Sequence, residues 1–471
     1  MHTSHPRPCP RILIRAAMFM AGILLLLTPD AGLAIQAHQK LTGPFASVTA
    51  ANKSCVQCHD KQDADLRKTV HWTWLRPMLK NDRQVLNDLR TDLSRFGLAA
   101  ATNPRQCFTC HISAMPDSPP AAIEPQGTIN CLICHDSTGQ YKAGVTPEAL
   151  VTIVRQAGLP TPRNCRICHD RDCGLTPEGT RPDSTTDIHI RRHGFTCQKC
   201  HPGQGVHAMP GKISSAPKDN KGSGCIHCHG SRPHNQVRLN RHERFVGCQG
   251  CHIPAFGTGK PVVLGWNWLL GSSGPTMRHV NGSLVMLDGF LTGQNIRPLY
   301  FWDDGSGSSY SRGCRITSGS VILGGPGPRS PQSRIMPFRT TWATQLKDRK
   351  YHYLLSPHLH GEKPPFWSKG GLNQAITRGM AALRLPFSGE TAPVISLRYA
   401  RLNHGVVQAR ETLDCMDCHG GLRDFAWQEL GYREDPWQDQ VEMAPEEAPT
   451  PPPRMGMPPI EESVLPTFPG Q

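Results

Sequence analysis

The chain has 471 residues and a formal net charge of +14, with 38% hydrophobic and 6% aromatic residues. This length allows one large domain or two to three ordinary ones, but the apolar share is too low to fill an ordinary core with side chains. No run that mixes basic and aromatic residues is present, which argues against a nucleic-acid-binding protein. The 19 cysteines indicate either disulfides or a cofactor that supplies the missing apolar volume.

The N-terminal segment has the pattern of an export signal. Three arginines precede an apolar run over residues 16–27, and small residues follow up to Ala34. This pattern predicts a signal peptide over residues 1–34, cleaved near Ala34. The run is too short to span a bilayer as a helix, and an uncleaved anchor is the alternative. We therefore expect a periplasmic protein with no stable membrane span.

A C-x-x-C-H motif occurs eight times in the chain. Its spacing is that of covalent c-type haem attachment, in which two thiols form thioethers and the histidine binds the iron as proximal ligand. A zinc site or chance could explain one match but not eight in an exported chain. The sequence therefore predicts eight haems c. Their attachment residues are Cys55, Cys58 and His59; Cys107, Cys110 and His111; Cys131, Cys134 and His135; Cys165, Cys168 and His169; Cys197, Cys200 and His201; Cys225, Cys228 and His229; Cys248, Cys251 and His252; and Cys415, Cys418 and His419.

The spacing of the motifs predicts the domain organisation. We expect an octahaem cytochrome c domain over residues 35–442 and a disordered, proline-rich tail over residues 443–471. Within the domain, the haem-free segment 253–414 is expected to wrap the haem stack with loops and short helices. The predicted fold is mainly α with extensive irregular loops around a stacked haem array, and few or no β-strands. Helices are predicted at 61–74, 82–98, 146–156 and 373–383.

Each low-spin haem also needs a sixth, distal ligand, and histidines outside the motifs are the candidates. For any one of them, a surface or core histidine is the alternative. Seven candidates for eight haems predict that one iron differs from the others, because an iron without a second histidine is open to substrate. The candidates are His71, His189, His207, His234, His242, His358 and His404.

Stretches around the motifs carry a further likeness. They include TVHWTW (69–74), NCLICHDSTGQYK (130–142), NRHERFVGCQGCHIP (240–254) and SPHLHG (356–361). With the order of the eight motifs, they make the chain resemble the octahaem tetrathionate reductase family, up to about Trp427. Hydroxylamine oxidoreductase is a more distant likeness by haem number.

This resemblance implies a periplasmic reductase whose catalytic haem is the second, bound by Cys107, Cys110 and His111. In the family, a lysine from a loop after the fourth motif binds that iron, and a cysteine approaches it from the segment before the second motif. This chain departs from the family at both places. It has no lysine between Lys142 and Lys199, and Gly97 stands about where the family has its cysteine.

Cys173 lies in the loop that, by resemblance, faces the second haem. Three interpretations stay open for its thiol. It could act at the active site, as a ligand or beside substrate. It could form a disulfide with Cys314, the other unassigned cysteine of the mature chain. It could also be an inert buried thiol.

The leading functional hypothesis is reduction of a small sulfur or nitrogen compound such as tetrathionate, nitrite or hydroxylamine. A pure electron carrier with six-coordinate irons and an oxidase of hydroxylamine type are the alternatives. We expect a small anionic or nitrogenous substrate, a redox partner cytochrome or quinol-linked donor, and no nucleic acid. Arginines that could attract an anion are Arg105, Arg163, Arg166 and Arg171. Candidate proton donors, or merely solvated loop acids, are Asp170, Asp172 and Glu178.

Overall fold

The structure is a computed structural model. It describes residues 38–80, 83–88, 93, 97–103, 112, 127–141, 145–169, 186–202, 207, 224–271, 277–280, 283–286, 290–327, 329–359, 371–420 and 425–437. The predicted signal peptide, the second motif, Cys173 and the predicted tail lie outside these residues. No described helix is long and apolar enough to cross a membrane.

Fourteen short helices and eleven strands make up the described chain. The helices are α1 (Val48–Val56), α2 (Asp60–Leu66), α3 (Val70–Thr73), α4 (Leu132–His135), α5 (Pro147–Arg155), α6 (Pro162–His169), α7 (Ile188–Arg191), α8 (Cys197–Cys200), α9 (Cys225–His229), α10 (Val237–His242), α11 (Cys248–His252), α12 (Trp268–Gly271), α13 (Gly371–Ala382) and α14 (Cys415–Cys418). The strands are β1 (Leu75–Lys80), β2 (Arg83–Asp88), β3 (Val262–Asn267), β4 (Met277–Val280), β5 (Ser283–Met286), β6 (Phe290–Gly293), β7 (Leu299–Asp303), β8 (Ser308–Ser309), β9 (Ser320–Gly325), β10 (Arg334–Asp348) and β11 (Thr391–Arg401).

The chain divides into two compact units. The smaller unit comprises Met1–Asp60, Ile112–Ala114 and Gly127–Cys165, and the larger unit comprises the rest. Helix α5 of the smaller unit begins where the Thr146 hydroxyl accepts a hydrogen bond from the Ala149 amide, with Pro147 in its first turn. Its apolar face packs on α1 and α4 through a buried cluster of Phe45, Ala51, Leu132, Leu150, Ile153 and Val154.

The larger unit is built on a mixed sheet of seven strands. Six strands follow the order β6-β3-β10-β11-β9-β8, and β7 pairs with the first residues of β10. The long central pair β10 and β11 is antiparallel, and β3 and β9 flank that pair in parallel. The prediction of few or no β-strands is therefore wrong, because the haem-free segment forms this sheet.

Alternation of side chains explains why this segment forms strands. In β10, the residues from Thr341 to Asp348 alternate largely between buried and half-buried positions, as in a strand with one face in a core. Six of the 15 residues of β10 are β-branched or aromatic. Helix α13 packs Ile376 and Met380 into the core beside the sheet with Leu346 and Val394. The sheet therefore has a conventional side-chain core.

The four predicted helices meet different outcomes. Those at 146–156 and 373–383 correspond to α5 and α13, and the one at 61–74 is split into α2 and α3. The one at 82–98 is wrong where the structure describes it, because residues 83–88 form β2, which pairs with β1 in a hairpin. The backbone turns at Trp74, whose φ of 60° ends α3 and leads into β1.

Candidate functional site

Seven of the eight C-x-x-C-H motifs are described, and each lies on a short helical turn or at the end of one. In the first, third and eighth motifs the histidine amide donates to the carbonyl of the first cysteine at 2.9–3.0 Å. One helical turn brings residues three and four positions apart to the same side. The local fold thus presents two thiols and an imidazole together, which is the arrangement that haem c requires. None of the 15 described cysteines forms a disulfide.

Six proximal histidines each face a second histidine. The ring centroids lie 6.0–6.3 Å apart in every case. Two metal–nitrogen bonds of about 2 Å each would put ring centres about 6 Å apart across one iron. The spacing therefore fits a haem iron held between two imidazoles. The pairs are His59 with His38, His169 with His71, His201 with His404, His229 with His189, His252 with His234, and His419 with His242.

Five of the seven predicted distal histidines are in these pairs. The sixth pair contains His38, which the sequence prediction missed. The residue lies four positions after the predicted cleavage site and well before the first motif, so its sequence position gave no reason to join it to His59. The sequence offered one hint: seven distal candidates had been named for eight predicted haems, so an eighth histidine could have been sought. With His38 included, the candidates equal the haems in number.

The second nitrogen of several rings is anchored to the protein. The Nδ1 of His38 lies 3.1 Å from the Ala157 carbonyl, that of His135 lies 2.7 Å from the Gly158 carbonyl, and that of His242 lies 2.9 Å from the Arg238 carbonyl. A ring that donates from Nδ1 keeps Nε2 available for a metal and is held in one orientation. These anchors fix the ring orientation that a metal-binding histidine needs.

Burial keeps several of these rings neutral. The pKa values of His71, His201 and His252 are lowered, mainly because burial disfavours the imidazolium, and next because the facing histidine would carry a like charge. Neutral imidazole is the form that binds a metal. The protein therefore holds these rings in the ligating state.

Asp187 connects two of the paired histidines, His189 and His404. One carboxylate oxygen accepts from the His189 ring at 2.9 Å, and the other accepts from the amides of Gly405 and Val406 at 3.0 Å. Gly405 directly follows His404. Asp187 is only 5% exposed, so a single buried carboxylate orients His189 and fixes the loop that carries His404. A second carboxylate, Asp435, lies 2.5 Å from the His419 ring.

Several motifs interact with another motif of the same unit. In the smaller unit, the Cys55 thiol contacts that of Cys131, joining the first and third motifs. In the larger unit, His201 interacts with His169, and Cys200 with Cys225. The same holds for the next two steps, through the pairs Cys225 with Cys248 and Cys251 with Cys415. The fourth to eighth motifs thus form an unbroken series.

His358 lies in a buried network beside the segment that leads into the second motif. Its Nδ1 is 2.6 Å from the Thr102 carbonyl, and the Thr102 hydroxyl bonds to that of Ser356 at 2.9 Å. The Asn103 carboxamide oxygen accepts from the Leu359 amide at 2.8 Å. The anchoring matches that of the paired histidines, but no described histidine ring faces His358. The three attachment residues of the second haem lie outside the described part of the chain.

The structure places other predicted site residues as follows. Cys314 is exposed and, among the described residues, forms no disulfide. The Arg163 guanidinium donates to the Gly139 carbonyl at 2.7 Å. His207 is half-buried, and Arg166 is half-buried in α6. Cys173, Arg105, Arg171, Asp170, Asp172 and Glu178 lie outside the described residues.

Gly97, which stands about where the resembled family has a cysteine, has a φ of 71°. A Cβ at this position would lie 1.9 Å from the Gln345 side chain. The residue is therefore fitted to glycine in both its backbone conformation and its surroundings. A cysteine there would require the Gln345 carboxamide to move.

Comparisons with known proteins agree with this geometry. Residues 286–421 match the family model described as bacterial cytochrome c. A solved structure, an octaheme cytochrome c from Shewanella oneidensis, is 28% identical with a TM-score of 0.74. That match covers 86% of this chain and 98% of the other. A search of curated proteins gives no match. The likenesses support covalently bound haem c, a multihaem cytochrome fold and a redox function in electron transfer.

Proposed function

We propose that the chain is an exported octahaem cytochrome that carries electrons along haems bound by its eight motifs. The observation that carries this proposal is the set of six histidine pairs at 6.0–6.3 Å. When bound, haem c supplies one-electron redox chemistry, and two imidazole ligands suit it to electron transfer rather than to substrate binding. The sixteen motif cysteines and eight motif histidines would hold the haems.

The protein's own residues provide the environment for this chemistry. Nδ1 anchors orient the rings, and burial keeps His71, His201 and His252 neutral. Each motif from the fourth to the eighth interacts with the next, which supports short electron-transfer steps between the haems that they would hold. The positive charge of the chain can balance the haem propionates, which would otherwise make the interior anionic.

Intact mass spectrometry and optical spectroscopy of the matured protein test this proposal. We expect a mass increase of eight haems over the cleaved polypeptide, a spectrum dominated by low-spin haem, and reversible reduction. Fewer haems, or haems that do not reduce and reoxidise, would contradict the proposal. Cleavage near Ala34 in the same mass measurement tests the export part of the proposal.

A second candidate function is reduction of a small sulfur or nitrogen compound at the second haem. His358 draws attention to this haem, because a buried network holds its ring beside the segment leading to the second motif. The likeness to the tetrathionate reductase family supports the same position. A high-spin ferric signal in the electron paramagnetic resonance spectrum, altered by tetrathionate, nitrite or hydroxylamine, would support this step. A spectrum with only low-spin haem, unchanged by all three compounds, would contradict the reductase activity, and electron transfer would remain as the proposed function. For either function, a redox partner cytochrome or a quinol-linked donor would supply the electrons.

A further inference from the structure

Asp435 is a carboxylate that holds one of the paired histidines at the end of the motif series. One of its oxygens accepts from the His419 ring at 2.5 Å and from the Trp437 amide at 2.9 Å, and the other accepts from the Gly420 amide at 3.0 Å. Because a carboxylate can only accept, the ring donates from Nδ1, which leaves Nε2 for a metal. His419 faces His242 at 6.3 Å, so Asp435 acts on one of the two rings that would bind the eighth haem.

Four other described rings meet a different kind of acceptor. The Nδ1 atoms of His38, His135, His242 and His358 lie 2.6–3.1 Å from backbone carbonyl oxygens. A carbonyl is neutral, whereas a carboxylate carries a full negative charge, and hydrogen bonds to ionised groups are about twice as strong as neutral ones. The two rings of the eighth site therefore differ, because His242 meets a carbonyl and His419 meets a carboxylate.

Asp187 is a second carboxylate that holds a ring, but more backbone donors share it. Its oxygens accept from the His189 ring and from three amides, those of His189, Gly405 and Val406. Asp435 accepts from its ring and from two amides, and its ring contact is shorter, 2.5 Å against 2.9 Å. Each amide donor stabilises the carboxylate charge, so Asp435 has more of that charge left to act on its imidazole.

Aromatic side chains hold the His419 ring in this contact. Trp427 stacks on it with ring centroids 5.2 Å apart, and the Trp437 centroid also lies 5.2 Å away. The Arg238 guanidinium lies 5.0 Å from the Trp437 ring, and the Arg238 carbonyl is the acceptor for Nδ1 of His242. Both rings of the pair are therefore held in one connected arrangement.

We propose that Asp435 is a positioning residue that keeps the eighth haem at a low reduction potential. A carboxylate that accepts the Nδ1 proton makes the imidazole a better electron donor to iron, which favours the more positive ferric state. The negative charge beside the site acts in the same direction. Since the eighth motif ends the series that begins at the fourth, its haem releases an electron readily at that end. The proposal rests on the proposed function, because it requires haem at this motif.

The test compares wild type with Asp435→Asn, Asp435→Ser, Asp435→Glu and the control Glu434→Gln, all loaded with haem. Glu434 is exposed and one position away, so its replacement removes the same charge from the surface. Haem number by mass and thermal unfolding establish that each variant has matured and folded. Spectroelectrochemistry gives the haem potentials, and electron paramagnetic resonance gives the g values of the ferric low-spin haems, which report on their axial rings.

Asp435→Asn should raise the potential of one of the lowest-potential centres. We expect its equilibrium constant for reduction to increase about tenfold, which is about 59 mV for a one-electron centre. The g values of one low-spin haem should change in the same variant. Asp435→Ser, which keeps a neutral acceptor for the amides, should show the same rise. Asp435→Glu keeps a carboxylate and should retain part of the wild-type behaviour, and Glu434→Gln should show neither effect.

Wild-type potentials together with wild-type g values in Asp435→Asn would overturn the proposal, as would a rise confined to one of the highest-potential centres. An equal rise in Glu434→Gln would also overturn it, because surface charge alone would then explain the change. Asp435→Asn protein that matures poorly is replaced in the comparison by Asp435→Ser, for which wild-type values would be equally decisive. The proposed function is judged separately, by whether the wild-type haems reduce reversibly, and the g values decide on Asp435 without any reduction step.

Discussion

At the residue scale, a single carboxylate holds two of the paired histidines in place. Because Asp187 accepts from the His189 ring, it makes that imidazole a stronger electron donor to a bound metal. We expect Asp187→Asn to raise the potential of one haem. An amide oxygen is a weaker hydrogen-bond acceptor than a carboxylate, so the His189 ring would donate less electron density to a bound iron. Spectroelectrochemical titration of the haem-loaded variant measures this shift.

Asp414→Asn is the matched control for Asp187→Asn. Asp414 also lies next to a motif, but it caps α14 by accepting from the Met416 and Asp417 amides and touches no ligand ring. Because an asparagine oxygen can accept the same hydrogen bonds, this variant should fold normally and keep every haem potential. If Asp187→Asn leaves the potentials at their wild-type values, the carboxylate is only a structural anchor for the 404–406 loop.

His38 gives a direct test of the pairing geometry. We expect His38→Ala to convert one low-spin haem into a high-spin haem, because His59 would remain as the only histidine ligand of that iron. Optical and electron paramagnetic resonance spectra detect the change. His193→Ala is the control, since the His193 ring packs on Phe195 and faces no described histidine. Identical spectra for the two variants would show that His38 is not a ligand.

The Gly97→Cys substitution tests whether this chain can accommodate the cysteine that the resembled family has at about this position. Gly97→Cys should destabilise the protein by about 1–3 kcal/mol, from positive-φ strain and overpacking against Gln345. Gly389→Ala is the matched control, because its φ is 88° but nothing lies near the added Cβ, and it should show the strain alone. Thermal unfolding compares them. Equal losses of stability would contradict the predicted contribution of Gln345.

At the scale of elements, the motif turns were predictable and the sheet was not. Each C-x-x-C-H motif is local chemistry, so its spacing alone indicates what its side chains can hold. The strands β10 and β11 pair through residues distant in sequence, such as Trp342 with Leu397. Frequent glycine and proline between 253 and 414 favoured loops, although the alternation within β10 and the β-branched residues of β11 were readable signals. His38 was missed for a related reason, because no local sequence pattern joins it to His59 and the two rings meet only in the folded chain.

The turn after β10 depends on the ionised Asp348 carboxylate. Burial alone would raise its pKa, but the amides of Ser388, Tyr351 and Lys350 donate to it at 2.8 Å and together lower that pKa. The depressed pKa means that the carboxylate stabilises the fold above the unfolded value of about 3.9, and that this stabilisation is lost as pH falls through the lower folded value.

Asp348→Asn should therefore lower the free energy of unfolding by about 1–3 kcal/mol at neutral pH. The difference from wild type should shrink in acid, where the wild-type carboxyl is also protonated. Denaturant unfolding at pH 7 and near pH 3 measures both values. Asp304→Asn is a control, because the Asp304 carboxylate accepts only from Ser306 in a half-buried turn. A constant deficit for Asp348→Asn at all pH values would mean that ionisation of Asp348 is irrelevant to the turn.

At the scale of the whole molecule, two kinds of core coexist in one chain. The sheet, α13 and segments 97–103 and 351–359 bury ordinary apolar side chains, including Ile376 and Met380. The described residues between 165 and 252, which carry the fourth to seventh motifs, contribute no side chain to the buried apolar core, so the apolar volume there would come from the macrocycles. This division reconciles the low hydrophobic share of 38% with a folded chain of 471 residues. It also predicts that folding without haem attachment would leave the motif regions unstructured.

The interactions between neighbouring motifs predict the shape of a reductive titration of the haem-loaded protein. Eight haems would take up eight electrons per chain in a reductive titration, and close neighbours should not fill independently. Reduction of one centre places negative charge beside the next, which makes that next reduction harder. We therefore expect a titration curve broader than that of one centre. Raised ionic strength should have little effect on it, because buried charges are poorly screened. Uptake of fewer than eight electrons would contradict the eight predicted haems, and a curve as sharp as that of one isolated centre would contradict the interaction between neighbouring motifs.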